Sequence, residues 1–141
     1  MIELSNRAVA AFRTWDGPVG YAIVDWPHGS CDFASYVIAG TLLERGFGEW
    51  DITWNSSRSS GATHTWVELV EEGRLQYVID RTAHQFPSVT AAPYFGPGPN
   101  PLRAVFDNEL GRSPITSLYW GRGIYADALS YVSEVMGRET Q

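Results

Sequence analysis

One cysteine, three histidines and sixteen acidic side chains are the stock of this chain for nucleophilic and proton-transfer chemistry. Cys31 follows Trp26-Pro27-His28-Gly29-Ser30 and precedes a long apolar run. It therefore falls in the first turn of a helix that Ser30 opens. Unsatisfied N–H groups and the positive end of the macrodipole favour an anion there, and the thiolate is the nucleophilic form of cysteine. Free cysteine is also at home as a buried, inert small hydrophobe. Position alone leaves both readings open, and partners decide between them.

A thiol nucleophile in acyl transfer needs a histidine base, and the base needs an orienting third group. His64 and Asp80 lie in the runs His64 to Val70 and Leu75 to Asp80, which read as the two strands of a hairpin. With Glu71-Glu72-Gly73 as the loop, Val70 opposes Arg74, and the same register sets His64 opposite Asp80. Their Cβ atoms would then lie about 5 Å apart on one sheet face. Gly73 suits the left-handed position of such a loop. A loop one residue longer puts the pair on opposite faces and breaks the arrangement. Taken singly, His64 is an ordinary edge residue and Asp80 a strand-end cap. Taken with Cys31 they form a Cys–His–Asp set.

The elements that must hold this set follow from patterning. Asn6 to Trp15 reads as a helix with Ser5 as N-cap and Leu4 stapled onto Val9, ended by Asp16-Gly17-Pro18. Tyr21 to Val24 is a short strand or an extended approach, and Trp26 to Gly29 is a turn. The helix opened by Ser30 runs to Arg45 with Gly46 as a left-handed cap. Its apolar residues lie nearly all round, which marks a buried helix. Trp50 to Trp54 alternates as a strand, and the Ser-rich stretch Asn55 to Gly61 reads as a mobile loop. Thr90 to Pro101 reads as irregular surface chain, and Gly121 to Met136 as a last helix. The fold class is α+β, as a single domain over residues 1–141.

Composition narrows the functions. At 44% hydrophobic and 18% charged, the chain is neither disordered nor a coiled coil. A net charge of −6 with scattered arginines disfavours nucleic acid as a partner. No apolar run reaches the roughly 18 residues of a membrane span. The first residues have neither the basic nor the apolar region of a signal peptide, so the expected location is the cytoplasm, with delivery as an effector left open. All ten basic residues are arginine. A GC-rich genome explains that most simply; avoidance of lysine-directed modification or of self-acylation is the sharper alternative. Three histidines without paired spacing and one cysteine do not make a zinc set, and no phosphate-binding glycine motif occurs. No cofactor or metal is expected.

Four stretches together resemble the transglutaminase-like superfamily: Gly29 to Ser35 around Cys31, Leu42 to Gly46, His64-Thr65-Trp66-Val67-Glu68, and Val78-Ile79-Asp80-Arg81-Thr82. The pattern is a cysteine opening a core helix, an HxWxE strand and a DxT strand end. The resemblance covers residues 28–86, and Gln85-Phe86 extends it toward small bacterial members whose block ends DxTxxQF. It implies a papain-like core, with the cysteine-bearing helix packed on an antiparallel sheet. It also implies Cys31 as nucleophile, His64 as base and Asp80 as orienter. Members include transglutaminases, peptidases, amidases and deamidases acting on protein or peptide amides, so the reaction stays open. The arginine- and glycine-rich approach of arylamine N-acetyltransferases is absent, and the chain has no room for the extra domains and calcium sites of large transglutaminases. Those departures favour a minimal hydrolase or deamidase. A non-catalytic papain-like module that binds a protein partner is the alternative.

Four further residues have two readings each. Trp66 shares the sheet face of His64 and either walls the site or belongs to the core. Trp26 either offers its indole N–H near the nucleophile or anchors the turn. His28 either touches substrate or is a solvated loop histidine. Gln85, with Thr82 and His84, braces the strand end around Asp80. The oxyanion would use the Cys31 backbone N–H and one further donor.

Overall fold

A computed structural model of the chain describes residues 1–17, 26–116 and 123–139. The first helix, α1, spans Ile2–Phe12, which is earlier than the sequence pattern suggested. Ser5 does not cap it. Its buried hydroxyl donates to the Ile2 carbonyl at 2.8 Å, the back-bonding available to a serine one turn inside a helix. The periodic apolar residues already begin at Ile2 and Leu4, so the helix starts with them. Thr14 and Trp15 stand beyond its end, their N–H groups bonded to the carbonyls of Ala11 and Phe12.

The second helix, α2, spans Cys31–Glu44, with Ser30 at the N-cap position. Every residue from Phe33 to Leu42 is buried, as a helix apolar all round requires. Gly46 ends it at φ 81°, while the Phe47 N–H bonds the Leu42 carbonyl at 2.8 Å. Only a residue free of a Cβ clash adopts that turn cheaply, which is why glycine stands there.

Five strands follow: β1 (Asp51–Ser56), β2 (Thr63–Glu71), β3 (Arg74–Asp80), β4 (Tyr94–Gly96) and β5 (Asn108–Pro114). They make one antiparallel sheet in the order β4-β3-β2-β1-β5. The third α-helix among the described residues, α3, spans Gly123–Glu139. The α+β class is therefore as expected. The Ser-rich stretch is not a mobile loop at its start: Asn55 and Ser56 belong to β1, and the Ser57 N–H bonds the Ala62 carbonyl at 2.8 Å. The irregular stretch before Pro101 contains the edge strand β4, paired through Asp80↔Tyr94. The expected strand Tyr21 to Val24 and the expected helix start at Gly121 lie outside the described residues.

Strand alternation gives the sheet two covered faces. Ile52, Val67 and Ile79 pack into one core with Phe12, Phe33, Val37 and the other apolar residues of the three helices. Trp66 and Val78 turn the other way and meet Ala83, Leu102 and Phe106 from the chain between β3 and β5. His64 shares the face of Trp66, and Asp80 that of Val78, by the period of two. Among the described residues no helix is long and apolar enough to cross a membrane.

Candidate active site

The hairpin that carries His64 and Asp80 turns more tightly than the sequence suggested. Its loop is Glu72-Gly73, with φ 53° and 75° and with Glu71 opposite Arg74. Two successive positive φ values are those of a type I′ turn, the commonest two-residue hairpin connection. In that register alone His64 and Asp80 would fall on opposite faces. A β-bulge restores them. Val70 opposes Leu75 but Leu69 opposes Tyr77, so Gln76 is an extra residue in β3. Beyond the bulge Val67 opposes Ile79, and continuing that ladder sets Asp80 beside Trp66, one diagonal step from His64. The expected direct opposition is thus corrected to a diagonal pair on a shared face.

Their side chains meet. His64 Nε2 lies 2.8 Å from Asp80 Oδ2, with the two residues 0% and 1% exposed. The same carboxylate oxygen accepts from Asn100 Nδ2 at 2.8 Å, while Asn100 Oδ1 takes the Leu102 N–H at 2.9 Å. Asp80 Oδ1 is buried without a partner among the described residues. On the ring's other nitrogen, Gln85 Nε2 lies 3.1 Å from His64 Nδ1 and 3.4 Å from Thr82 Oγ1. The aromatic rings of Trp66, Phe86 and Phe106 surround the imidazole, with centroids 5.7, 5.0 and 5.4 Å away. These rings pack around it and bury it.

Burial by itself disfavours a charged imidazole. Here the hydrogen bond to Asp80 and its negative charge outweigh it, and the nearby Cys31 adds to the same effect. The result is a His64 held protonated up to about 9. Cys31 is half-buried at the start of α2, its sulfur 4.0 Å from Asp32 Oδ1. Asp80 and Cys31, distant in sequence, therefore both bear on His64 at the end of the sheet where β2 begins and β3 stops. That arrangement can move a proton between a thiol and an imidazole whose far nitrogen is anchored on a carboxylate.

The other expected site residues separate. Trp66 is fully buried, donates from Nε1 to Glu68 Oε2 at 2.8 Å and lies 4.6 Å under the Arg103 guanidinium. It belongs to the core behind His64 and offers no surface to a substrate. Trp26 packs on the helix-side core with the Arg13 guanidinium 5.5 Å over its ring, which is the anchoring role. His28 is exposed in the turn before α2, and its carbonyl accepts from Ser30 Oγ at 3.3 Å. Gln85 touches His64 itself. His84 beside it is pushed below the usual histidine value by burial and by the Arg81 charge, against the pull of Asp80; His28 adds to the lowering.

Asn100 was not foreseen. An Asn-Pro step in a Pro- and Gly-rich stretch signals a turn or a helix start, and Asn100 does cap the short 3₁₀ turn Pro101–Ala104. Nothing local says that its amide nitrogen also reaches Asp80. Among the described residues no group of three or more His, Cys, Asp and Glu side chains gathers to hold a metal ion. Comparisons with known protein families, curated proteins and solved structures give no match to the chain.

Proposed function

We propose that the protein is a cysteine-dependent enzyme acting on an amide, with Cys31 as nucleophile, His64 as base and acid, and Asp80 as orienter. The observation that carries this reading is the buried His64–Asp80 pair at 2.8 Å with Cys31 acting on the same ring. Asp80 occupies Nε2, so Nδ1 is the nitrogen left for proton exchange. In acylation Nδ1 holds the proton given up by Cys31, as the raised His64 pKa favours, and the sulfur forms a bond to the amide carbonyl carbon. The C–N bond then breaks, and the Nδ1 proton leaves with the amine. Water attacks the resulting thioester, giving one proton to His64 Nδ1, and the C–S bond breaks to release the acid and free the sulfur for the next turnover. An amine acceptor in place of water gives transfer.

The resemblance to the transglutaminase-like superfamily extends the reading to the fold. It supports a papain-like core, in which the buried α2 presents its first residue to the sheet, and a protein or peptide amide as substrate. One observation favours a second reading. His64 is wholly buried and its Nδ1 already faces Gln85, as suits a histidine that only holds the structure together. A non-catalytic binding module would look like that. The test is incubation with glutamine- and asparagine-rich peptides, following released ammonia and new termini, with parent and Cys31→Ala proteins compared. Release that requires Cys31 supports the enzyme; equal release by both proteins refutes it.

A further inference from the structure

The two nitrogens of His64 have unlike neighbours. Nε2 faces a carboxylate, which can only accept, so this nitrogen keeps its proton in either charge state of the ring. Only Nδ1 gains and loses one. It faces the Gln85 side-chain amide, a group with a donor on one side and an acceptor on the other. The 3₁₀ turn Ala83–Gln85 directly after β3 places this residue, and its amide nitrogen also reaches the fully buried Thr82 hydroxyl. A hydroxyl both donates and accepts. Thr82 can therefore take a hydrogen bond from the amide nitrogen or, with the amide turned over, give one to the amide oxygen.

From this we infer that Gln85, seated on Thr82, is a positioning residue that follows the proton on His64 Nδ1. While the ring is neutral, the amide N–H caps the Nδ1 lone pair, the arrangement with Gln85 Nε2 3.1 Å from Nδ1; below the raised His64 pKa the other orientation is favoured. Once Nδ1 carries a proton, the amide turns over and its oxygen accepts from it. The ring is then paired in both states, in a buried place where an unpaired polar group would be costly. The charged or titratable groups facing the ring are Asp80 from β3 and Cys31 from α2; Trp66, Phe86 and Phe106 are neutral. Gln85 is thus the uncharged neighbour whose polarity can change as the proton moves. That the proton comes from Cys31 rests on the proposed function; the two orientations of the amide do not.

The experiment is a ring-nitrogen NMR titration of the three histidines in the parent, Gln85→Glu and Gln85→Met proteins, with melting curves to confirm folding. In the parent, neutral His64 should carry its proton on Nε2. A carboxylate at position 85 can only accept, so Gln85→Glu should move the His64 titration to higher pH by about one unit or more. Gln85→Met removes a partner that serves both states, so it should move the titration by less than that. It should also shift the Nδ1 resonance of the neutral ring toward that of an uncapped lone pair. A neutral ring protonated on Nδ1, or a Gln85→Glu protein that titrates like the parent, overturns the inference. If Gln85→Glu does not fold, an unmoved Nδ1 resonance in Gln85→Met overturns it. An unreactive Cys31 in a protein whose His64 answers to Gln85 as described would refute the enzyme and leave this inference standing.

Discussion

Two ends of one strand face share a sheet and differ in chemistry. At the start of β2, His64 pairs with Asp80; four residues on, Glu68 pairs with Arg112. Both acidic partners are buried. The Glu68 end is saturated: one oxygen takes Arg112 at 2.6 Å and the other takes the Trp66 indole at 2.8 Å. Arg112 also holds Asp51 at 3.0 Å and Glu109 at 2.7 Å, and these bonds outweigh its desolvation and raise its pKa further. Arginine does not give up its proton near neutrality. The His64 end has slack. Asp80 Oδ1 is unpartnered among the described residues, Nδ1 meets a neutral amide, and Cys31 adds to the raised pKa of the ring. A buried ion pair alone therefore says little about function. A titratable member with an uncommitted side says more.

The contrast is broken most strongly by substitution at the reactive end. Cys31→Ala should abolish turnover almost completely while leaving the melting temperature close to the parent's, since α2 is held by Phe33 to Leu42 and not by its first residue. Turnover by a folded Cys31→Ala protein would refute the role of the thiol. Asp80→Asn should fold. An amide oxygen can take the place of Oδ2, and the amide nitrogen then falls where Oδ1 has no partner. It loses the charge that steadies the imidazolium, so kcat should drop, by less than the about 10⁴-fold seen for an orienter change in a serine triad. Unchanged kcat would reduce Asp80 to a strand-end cap.

The two ends should also part with pH. His64 is raised from its ordinary 6.5 to about 9 in the folded protein. A raised value means that the charged ring stabilises the fold fully below pH 6.5, and that this contribution is lost as pH climbs through about 9. Urea unfolding should show a fall on the order of 3 kcal/mol over that window, absent in His64→Gln. A pH-independent parent would contradict the pairing. Glu68→Gln is the mirror experiment. It should cost about 1–3 kcal/mol at any pH in that window and leave kcat of the folded protein within a factor of about two. A large loss of kcat would show that the saturated end reaches the reaction after all.

What the sequence disclosed depended on the range of the interaction. Cys31 opening a buried helix, Gly46 closing it and the strands of the hairpin are local patterns, and they hold. The register between His64 and Asp80 was not local. The loop was shorter than expected, and the shared face was recovered by an extra residue, Gln76, that no periodicity marks. Ser5 failed as a cap because apolar periodicity upstream extended the helix past it. Strand β5, Asn-Glu-Leu-Gly-Arg-Ser-Pro, has no alternating apolar face and exists because β1 pairs with it. Asn100 reaches Asp80 across twenty residues. Side-chain hydrogen bonds of that span leave no mark in composition or spacing.

The most direct test of the account is the rate at which Cys31, the only cysteine, is alkylated by iodoacetamide at about pH 6, in the native and in the urea-unfolded chain. Simple burial slows a thiol, whereas a protonated imidazole beside it speeds its alkylation. The expected result is a native Cys31 that reacts faster than the unfolded one, with the advantage lost in His64→Gln. A native Cys31 that reacts more slowly than the unfolded thiol would contradict it.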